Sequence, residues 1–271
     1  MIKAIALDLD GTLTNEKKEI TPRTRAALEA CMERGIHIIL ASGRPTVGIW
    51  PVARDLGLDQ KGGYILSYNG GCIIDCRTGQ VVAQEVLPAH LIEPICAQAK
   101  AAGGVALTYS QEGIVTEVAD DPYVLVESRI CHIPVQQVEN LAQAVQWPVN
   151  KMLITRNPEE IVRLEESMQQ AFAGQLSVYK SCPYFLEVVP LGVEKAQSLQ
   201  ALLTVLGLTA QELMACGDSW NDLSMIRLAG LGVAMGNAVE DVKQQADYIT
   251  QDNEHDGVGL AIERWVLQAQ P

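Results

Sequence analysis

Short apolar runs alternate with helical stretches at both ends of this chain, and that alternation constrains the fold more than any other feature. Residues 4–7 form the first run, which stops at acid and turn residues, as a buried parallel strand does at its carboxyl end. A helix is predicted over 22–34, because a Thr-Pro start signal opens it and a glycine follows it. A second run at 36–40 and a helix at 45–56 complete a β-α-β-α order, which predicts a parallel sheet.

The middle of the chain has a different pattern. Between residues 64 and 83, short strands are separated by Asn-Gly-Gly and Thr-Gly, which are hairpin turn signals. Helix and strand pairs then repeat over 84–187 and indicate a separate α+β unit. Alternation returns with a helix at 194–206, a strand at 213–216, a helix at 222–229, a strand at 231–234 and a closing helix at 239–246. We therefore expect a doubly wound, Rossmann-like parallel-sheet core in residues 1–83 and 188–271, with an inserted α+β domain at 84–187.

The formal net charge of −13 argues against a nucleic-acid partner. Affinity for a polyanion depends on clustered Lys and Arg, and the sequence has no such cluster. An enzyme of anionic substrates would need a locally positive site within this negative field. A metal ion, a lysine and backbone N–H groups could supply it.

The seven cysteines form an odd number and include no Cys-x-x-Cys pair. Neither a disulfide framework nor a zinc site is therefore expected, and the cysteines are interpreted as reduced thiols. The N-terminal Met-Ile-Lys is followed at once by the first strand, which predicts neither a signal peptide nor a membrane partner. The expected location is the cytoplasm.

Two acid-rich loops follow strands that should belong to the same sheet. Asp8 and Asp10 follow the first strand, and Asp218 and Asp222 follow the strand at 213–216. The carboxyl ends of parallel strands form the ligand crevice of an open α/β sheet, so these carboxylates should meet there. Their oxygens suit a hard cation such as Mg²⁺. Each loop also has a simpler explanation, as a solvated acidic turn in the first case and a helix N-cap in the second.

Ser42 and Gly43 follow the second apolar run, where a hydroxyl, a backbone N–H and a helix N-terminus can hold an anion. Ser-Gly is also common loop material, and Lys195 by itself is more typical of a solvated helix lysine than of a catalytic one. The four segments together are far more specific than any of them alone.

In sequence order the chain carries Asp-x-Asp-Gly-Thr after the first strand, Ser-Gly-Arg after the second, a lysine that opens a later helix, and Gly-Asp-x-x-Asn-Asp after the next strand. This series resembles the motifs of the haloacid dehalogenase superfamily, in its Cof-like phosphatase branch with a large α+β cap. The resemblance spans the chain, because residues 66–71 and 236–238 also look like that branch. It implies a Mg²⁺-dependent phosphatase, a hydrolase of phosphoric monoesters, whose cap at 84–187 selects the substrate.

The resemblance also implies a role for each motif residue. Asp8 would be the catalytic nucleophile that forms a phosphoaspartate, and Asp10 would protonate the leaving group and later activate water. Mg²⁺ would be bound by Asp8, the backbone carbonyl of Asp10 and Asp218. Lys195 would be both catalytic and phosphate-binding. The other phosphate-binding residues would be Leu9, Ser42, Gly43 and Asn221, while Asp222 would orient Lys195 or a metal-bound water.

A phospho-accepting or metabolite-phosphate-binding regulatory protein without turnover is the alternative. Receiver domains also gather acids, a hydroxyl and a lysine around Mg²⁺, but they are shorter, and their accepting aspartate follows a later strand. A binding protein that had lost turnover would more naturally lack one of the four residues Asp8, Asp10, Lys195 and Asp218.

The sequence does not identify the substrate. Small phosphorylated metabolites are expected, such as sugar phosphates or pyridoxal phosphate-like compounds, together with a monomer or a weak homodimer. The cap residues considered as substrate contacts are Glu117, Tyr123, Lys151, Tyr184 and Glu187.

Overall fold

The computed structural model describes residues 1–268. Its strands are β1 (Ala4–Leu7), β2 (His37–Ala41), β3 (Tyr64–Ser67), β4 (Cys72–Asp75), β5 (Val81–Gln84), β6 (Val105–Tyr109), β7 (Ile114–Thr116), β8 (Val135–Gln137), β9 (Met152–Thr155), β10 (Leu176–Cys182), β11 (Phe185–Pro190), β12 (Leu213–Gly217), β13 (Leu231–Ala234) and β14 (Tyr248–Ile249). Its α-helices are α1 (Pro22–Glu33), α2 (Thr46–Asp55), α3 (Leu58–Lys61), α4 (Ala89–Ala101), α5 (Pro122–Cys131), α6 (Leu141–Ala144), α7 (Ile161–Ala171), α8 (Lys195–Leu206), α9 (Leu223–Leu228), α10 (Glu240–Gln245) and α11 (Gly257–Ile262). Short 3₁₀ turns lie at Tyr68–Gly70, Ala210–Glu212 and Trp220–Asp222, and a π-helical turn at Glu263–Leu267 follows α11.

Eight strands form the first sheet, in the order β14-β13-β12-β1-β2-β3-β4-β5. β1 lies in the middle and is parallel to both β12 and β2. Leu7 is level with Cys216 on one side and with Leu40 on the other, so the three strands end at the same edge. The chain adds strands in opposite directions on the two sides of β1, which is where open parallel sheets hold ligands.

β1 is covered on both faces of the sheet, because all four of its residues are completely buried. Its side chains alternate between the faces, and Ala4 and Ala6 share a core with Leu199 and Leu202 of α8 and Met225 of α9. β4 pairs antiparallel with β3, in agreement with the hairpin signals of the sequence. The predicted α/β class with a parallel-sheet core is confirmed.

The chain divides into two compact units. The first contains Met1–Arg44, Ile49–Ala83 and the described residues from Glu194 onward. The second contains Pro45–Gly48 and Gln84–Val193. A substrate-selecting cap at 84–187 stays a prediction, because these contacts show where the chain is compact and not what each unit does.

The second unit is built on a six-stranded sheet in the order β10-β11-β9-β6-β7-β8. One face packs against α4 and α7, and apolar side chains from the strands and these helices form a single core. Strand alternation places Lys151 and Glu187 on the other face, because their neighbours Met152 and Leu186 belong to that core. This polar face is nevertheless buried, with Lys151 4% and Glu187 7% exposed.

The five cap residues considered from the sequence have identifiable partners within the second unit. Lys151 Nζ lies 3.3 Å from Glu187 Oε1. The rings of Tyr123 and Tyr184 stack with their centroids 5.0 Å apart. Glu117 accepts hydrogen bonds from Lys100 Nζ and from the backbone N–H of Leu141.

The secondary structure differs from the sequence expectations in several places. The helix α5 was not predicted, although Asp121 caps it by accepting from the N–H groups of Tyr123 and Val124, and proline opens it. The expectation that α10 closes the chain was wrong, because β14 and α11 follow it. α3, α6 and β8 were not predicted either. The helices that were predicted begin and end within a few residues of their expected bounds, since helix ends are set by local caps.

All seven cysteines lie in the described part of the chain, and all are free thiols. Among residues 1–268, none of the helices combines the length and the apolar character that crossing a membrane requires.

Candidate active site

Three polar loops meet at the edge of the first sheet where β1, β2 and β12 end. Asp8 directly follows β1, Ser42 follows β2, and Asp218 follows β12. The backbone N–H of Asp8 donates to Cys216 O at 3.1 Å, which continues the pairing of β1 with β12 one residue beyond the strands. Parallel register therefore brings together residues that are about two hundred positions apart in the chain, as the sequence predicted.

Lys195, the first residue of α8, lies in the middle of these loops and is completely buried. Its Nζ donates to Asp8 Oδ1 at 2.7 Å, to Asp222 Oδ1 at 2.6 Å and to the backbone carbonyl of Ala41 at 2.8 Å. The ammonium group has three donors, and all three are used. Burial of a charged lysine is tolerated here because two carboxylates and a carbonyl replace its water shell.

The ionisation of this cluster is set by one cation shared between acids. Burial lowers the pKa of Lys195, but the carboxylates of Asp222 and Asp8 outweigh that effect, so its pKa lies above the usual value. Burial and the Asp222 carboxylate raise the pKa of Asp8 well above its usual value, and Lys195 opposes this rise. Lys195 therefore keeps its proton, and its single ammonium group is shared between the carboxyl groups of Asp8 and Asp222.

Asp222 shapes the loop that carries Asp218. One of its oxygens accepts from Lys195, and the other accepts from the backbone N–H groups of Asp218 and Ser219, each at 3.0 Å. Its side chain is completely buried. Both carboxylate oxygens are thus engaged within the protein, one with Lys195 and the other with the backbone of Asp218 and Ser219.

Asp8, Asp218 and Asp222 form an acidic cluster that could hold a cation. Carboxylate oxygens of Asp8, Asp218 and Asp222 lie within 4.8 Å of one another. Because Asp222 already uses both oxygens, and Thr12 Oγ1 donates to Asp218 Oδ1 at 2.9 Å, the oxygens with spare capacity are Asp8 Oδ2 and Asp218 Oδ2. Hard oxygen donors of this kind suit Mg²⁺.

Two further observations support a cation beside Asp218. Burial, followed by the nearby Asp222 carboxylate, raises the pKa of Asp218 to about 6, so negative charge at this position is only partly compensated by Thr12 and Lys195. Gly11 has a φ of +82°, and a Cβ on it would lie 2.6 Å from Asp218 Oδ2. Only glycine therefore leaves this oxygen accessible.

Asp10 is held in a different environment. Arg44 donates two hydrogen bonds to it, from Nε to Oδ2 at 2.7 Å and from an Nη to Oδ1 at 2.6 Å, and Lys18 Nζ donates to Oδ1 at 2.6 Å. Burial raises the pKa of Asp10, but the hydrogen bonds and charges of Arg44 and Lys18 outweigh it, so the pKa lies below its usual value. Asp10 is therefore a carboxylate in this arrangement.

The predicted phosphate-binding residues lie around the same edge. Leu9 is buried between the two aspartates, and Ser42 is 2% exposed, with its Oγ accepting from the N–H of Arg44 at 3.2 Å. Asn221 lies on the loop after β12, and its Nδ2 donates to Asn69 Oδ1 at 3.0 Å. Gly43 packs against the same Asn69 side chain.

The structure thus brings Asp8, Lys195 and Asp222 into direct contact and places Asp218 within reach of them. Their catalytic and metal-binding roles, and those of the phosphate-binding residues, stay predictions. Four contacting residues were given no role from the sequence: Thr12, Lys18, Arg44 and Asn69. Thr12 and Arg44 stand inside recognised motifs and could have been considered, whereas the sequence has no signal that places Lys18 beside Asp10.

Comparison with known proteins identifies the family. A family model described as haloacid dehalogenase-like hydrolase matches residues 5–262. The chain belongs to this family. The resemblance inferred from the motifs is therefore confirmed, and so is the prediction that this haloacid dehalogenase-like hydrolase is an enzyme.

Solved and curated relatives resemble this hydrolase over nearly its whole length. A haloacid dehalogenase-like hydrolase from Bacteroides thetaiotaomicron, known from a crystal structure, is 45% identical, with a TM-score of 0.95 over 97% of this chain and 99% of that chain. A subclass IIB sugar phosphatase is 27% identical, with a TM-score of 0.78 over 97% and 98% of the two chains. The 5-amino-6-(5-phospho-D-ribitylamino)uracil phosphatase of Bacillus subtilis is 30% identical over 98% of this chain and 96% of its own length.

Proposed function

We propose that this hydrolase is a Mg²⁺-dependent phosphatase that removes phosphate from small metabolites through a phosphoaspartate on Asp8. The observation that carries the proposal is the Lys195 ammonium group, which bridges Asp8 and Asp222 beside Asp218. A nucleophilic carboxylate, a buried cation and a second carboxylate for a metal are the groups that phosphoryl transfer through an aspartate requires. The names of the relatives, which are phosphatases, support the same reaction class.

In the first step, an Asp8 oxygen forms a bond to phosphorus as the bond from phosphorus to the leaving alkoxide breaks. Lys195, Ser42 and the N–H of Gly43 offset the charge on the transferring phosphoryl oxygens. In the second step, water attacks the phosphoaspartate, and inorganic phosphate leaves as the Asp8 carboxylate is restored. Asp8, the Asp10 carbonyl and Asp218 would hold Mg²⁺, which would supply further positive charge when bound.

Asp10 moves the protons in both steps. It donates a proton to the leaving alkoxide and later takes one from the attacking water. With Arg44 and Lys18 bound, the lowered pKa of Asp10 opposes the first of these tasks. Asp10 must therefore lose or weaken one of these partners before it can act as an acid, and the incoming phosphate dianion can compete for the same two cations.

The substrate class proposed is sugar phosphates and related phosphorylated metabolites, including pyridoxal phosphate-like compounds. The sugar phosphatase and the phosphoribitylamino-uracil phosphatase among the relatives support a small phosphorylated substrate. The 84–187 segment would act as the cap that selects the leaving group. We also retain the cytoplasm as the proposed location, and a monomer or a weak homodimer without a nucleic-acid partner as the proposed state.

The experiment is phosphate release from p-nitrophenyl phosphate, followed by a panel of phosphorylated sugars, nucleotides and vitamins. We expect activity with Mg²⁺, loss of activity with EDTA, and a loss of several orders of magnitude in Asp8→Asn. Asp55→Asn is the control, because Asp55 is an exposed carboxylate that binds Arg25. Activity that survives EDTA or Asp8→Asn would rule out the scheme. A phosphoenzyme that forms but releases no phosphate would instead favour the regulatory alternative.

A further inference from the structure

The turn between β3 and β4 has an uncommon backbone. Tyr68 has a φ of 55° and Asn69 a φ of 56°, so two successive residues other than glycine are left-handed, and Gly70 follows with a φ of 107°. Asparagine tolerates this region, but tyrosine rarely adopts it. Such a conformation persists only where the surrounding structure holds it, and it is found preferentially at functional sites.

Backbone contacts tie this turn to two active-site segments. The N–H of Tyr68 donates to Arg44 O, and the N–H of Asn69 donates to Ser42 O, both at 3.0 Å. On its other side, Gly70 O accepts from Ser198 Oγ of α8 at 2.6 Å. The turn therefore connects the loop after β2 with the helix that begins at Lys195.

The Asn69 side chain reaches a third segment. Its Oδ1 accepts from Asn221 Nδ2 at 3.0 Å, on the loop after β12. Its carboxamide also packs against Gly43, where an added Cβ would lie 3.1 Å from Oδ1 and 3.2 Å from Nδ2. Asn69 thus lies between two of the proposed phosphate-binding residues, which come from different loops.

We propose that Asn69 is a positioning residue that holds the Asn221 side chain beside the N–H of Gly43, so that both face the transferring phosphoryl group. This inference rests on the proposed function. The carboxamide is suited to the task because one oxygen accepts the Asn221 N–H while the flat group fills the space that glycine leaves open. Asparagine also satisfies the left-handed backbone at this position, which explains why one residue can do both.

A substitution by glycine separates the two contributions of Asn69. Asn69→Gly keeps the left-handed backbone, because glycine adopts it without a steric penalty, but it removes the carboxamide. Asn69→Ala removes the same group and also adds backbone strain. The difference between the unfolding midpoints of the alanine and glycine variants therefore measures the effect of the left-handed backbone alone. His132→Gly is the matched control, because His132 is an exposed residue of the second unit with a φ of 54°.

The decisive test is a double-mutant cycle with Asn69→Gly and Asn221→Ala. We expect Asn69→Gly to lower kcat/KM for p-nitrophenyl phosphate about tenfold, mainly through KM, and to weaken inhibition by inorganic phosphate by a similar factor. We expect it to have almost no effect when Asn221 is already alanine, because Asn69 acts through that side chain. His132→Gly should match the wild type.

Two results would overturn the proposal. One is an Asn69→Gly variant with wild-type KM and wild-type phosphate inhibition, and the other is a double variant whose losses multiply. The same double-mutant cycle can be measured without turnover, from the equilibrium affinity of the Mg²⁺-loaded wild type and variants for inorganic phosphate. An inactive wild type would count against the proposed function, whereas the cycle in phosphate affinity would still decide the role of Asn69.

Discussion

Replacement of Lys195 by methionine tests whether this residue is the counter-charge of the site. Methionine has a similar length and fits an apolar cavity, but it leaves Asp8 and Asp222 without the ammonium group that lies within 2.7 Å of both. Breaking a buried ion pair by removing one partner typically costs about 3–5 kcal/mol. For a protein of this size, we expect the unfolding midpoint of the first unit to fall by roughly 6–20 °C, at about 2–4 °C per kcal/mol.

The loss of stability in Lys195→Met should depend on pH. Without the lysine, nothing opposes the burial that already raises the folded-state pKa of Asp8 above the unfolded-state value, so the folded protein takes up a proton there more readily. The destabilisation is then complete above the raised folded-state pKa and shrinks as the pH falls toward the unfolded-state value of about 4. Added Mg²⁺ should restore part of the stability at neutral pH.

Thermal unfolding followed by circular dichroism in EDTA, at pH 7.5 and pH 5, measures both effects of Lys195→Met. Lys3→Met is the control, because Lys3 also binds a carboxylate at 2.6 Å, in Glu212, but its side chain is exposed. Exposed ion pairs contribute little, so its midpoint should stay near that of the wild type. A Lys195→Met midpoint equal to that of the wild type at pH 7.5 would refute the assignment of Lys195 as the buried counter-charge.

Three other substitutions have definite expected outcomes. Asp218→Asn should raise the unfolding midpoint measured in EDTA at a pH above about 6, which is the raised pKa of Asp218, and it should abolish the stabilisation by Mg²⁺. A midpoint equal to that of the wild type would contradict the inference that the Asp218 charge is poorly compensated. Asp10→Asn should still release a burst of p-nitrophenol in quenched flow, because this leaving group needs no acid, but should lose roughly 10²–10⁴-fold in steady-state rate; an unchanged rate would exclude Asp10 as the base. Lys151→Met should destabilise the second unit by about 3–5 kcal/mol in urea unfolding, since it leaves Glu187 buried without its cation, and a neutral result would show that the pair contributes nothing.

The sequence was sufficient to predict which loops meet, because that depends only on strand order and on parallel pairing. Asp8, Ser42 and Asp218 each directly follow a short apolar run, and such runs end at one edge of a doubly wound sheet. Lys195 was harder to interpret, since a lysine at a helix start is ordinarily solvated. Its complete burial between two acids became evident only in three dimensions.

Side-chain geometry accounts for what the sequence did not predict. Arg44 was recognised as part of a motif, but its bidentate contact with Asp10 depends on how two side chains point across neighbouring strands. Asn69 was interpreted as part of a hairpin signal and of a segment that resembles the Cof-like branch, without a role of its own, and the turn does connect antiparallel strands. Nothing in the letters Asn-Gly-Gly indicated that the preceding tyrosine is left-handed or that the amide reaches the loop after β12.

The central position of β1 has a consequence for biosynthesis. β1 precedes all the other strands of its sheet in the chain, yet its neighbour β12 ends only at Gly217. The nucleophile candidate Asp8 and its partner Lys195 are separated by 187 positions. A nascent chain must therefore keep β1 available while more than a hundred residues of the second unit emerge, and the complete constellation of acids forms only after the loop that follows β12 has been synthesised.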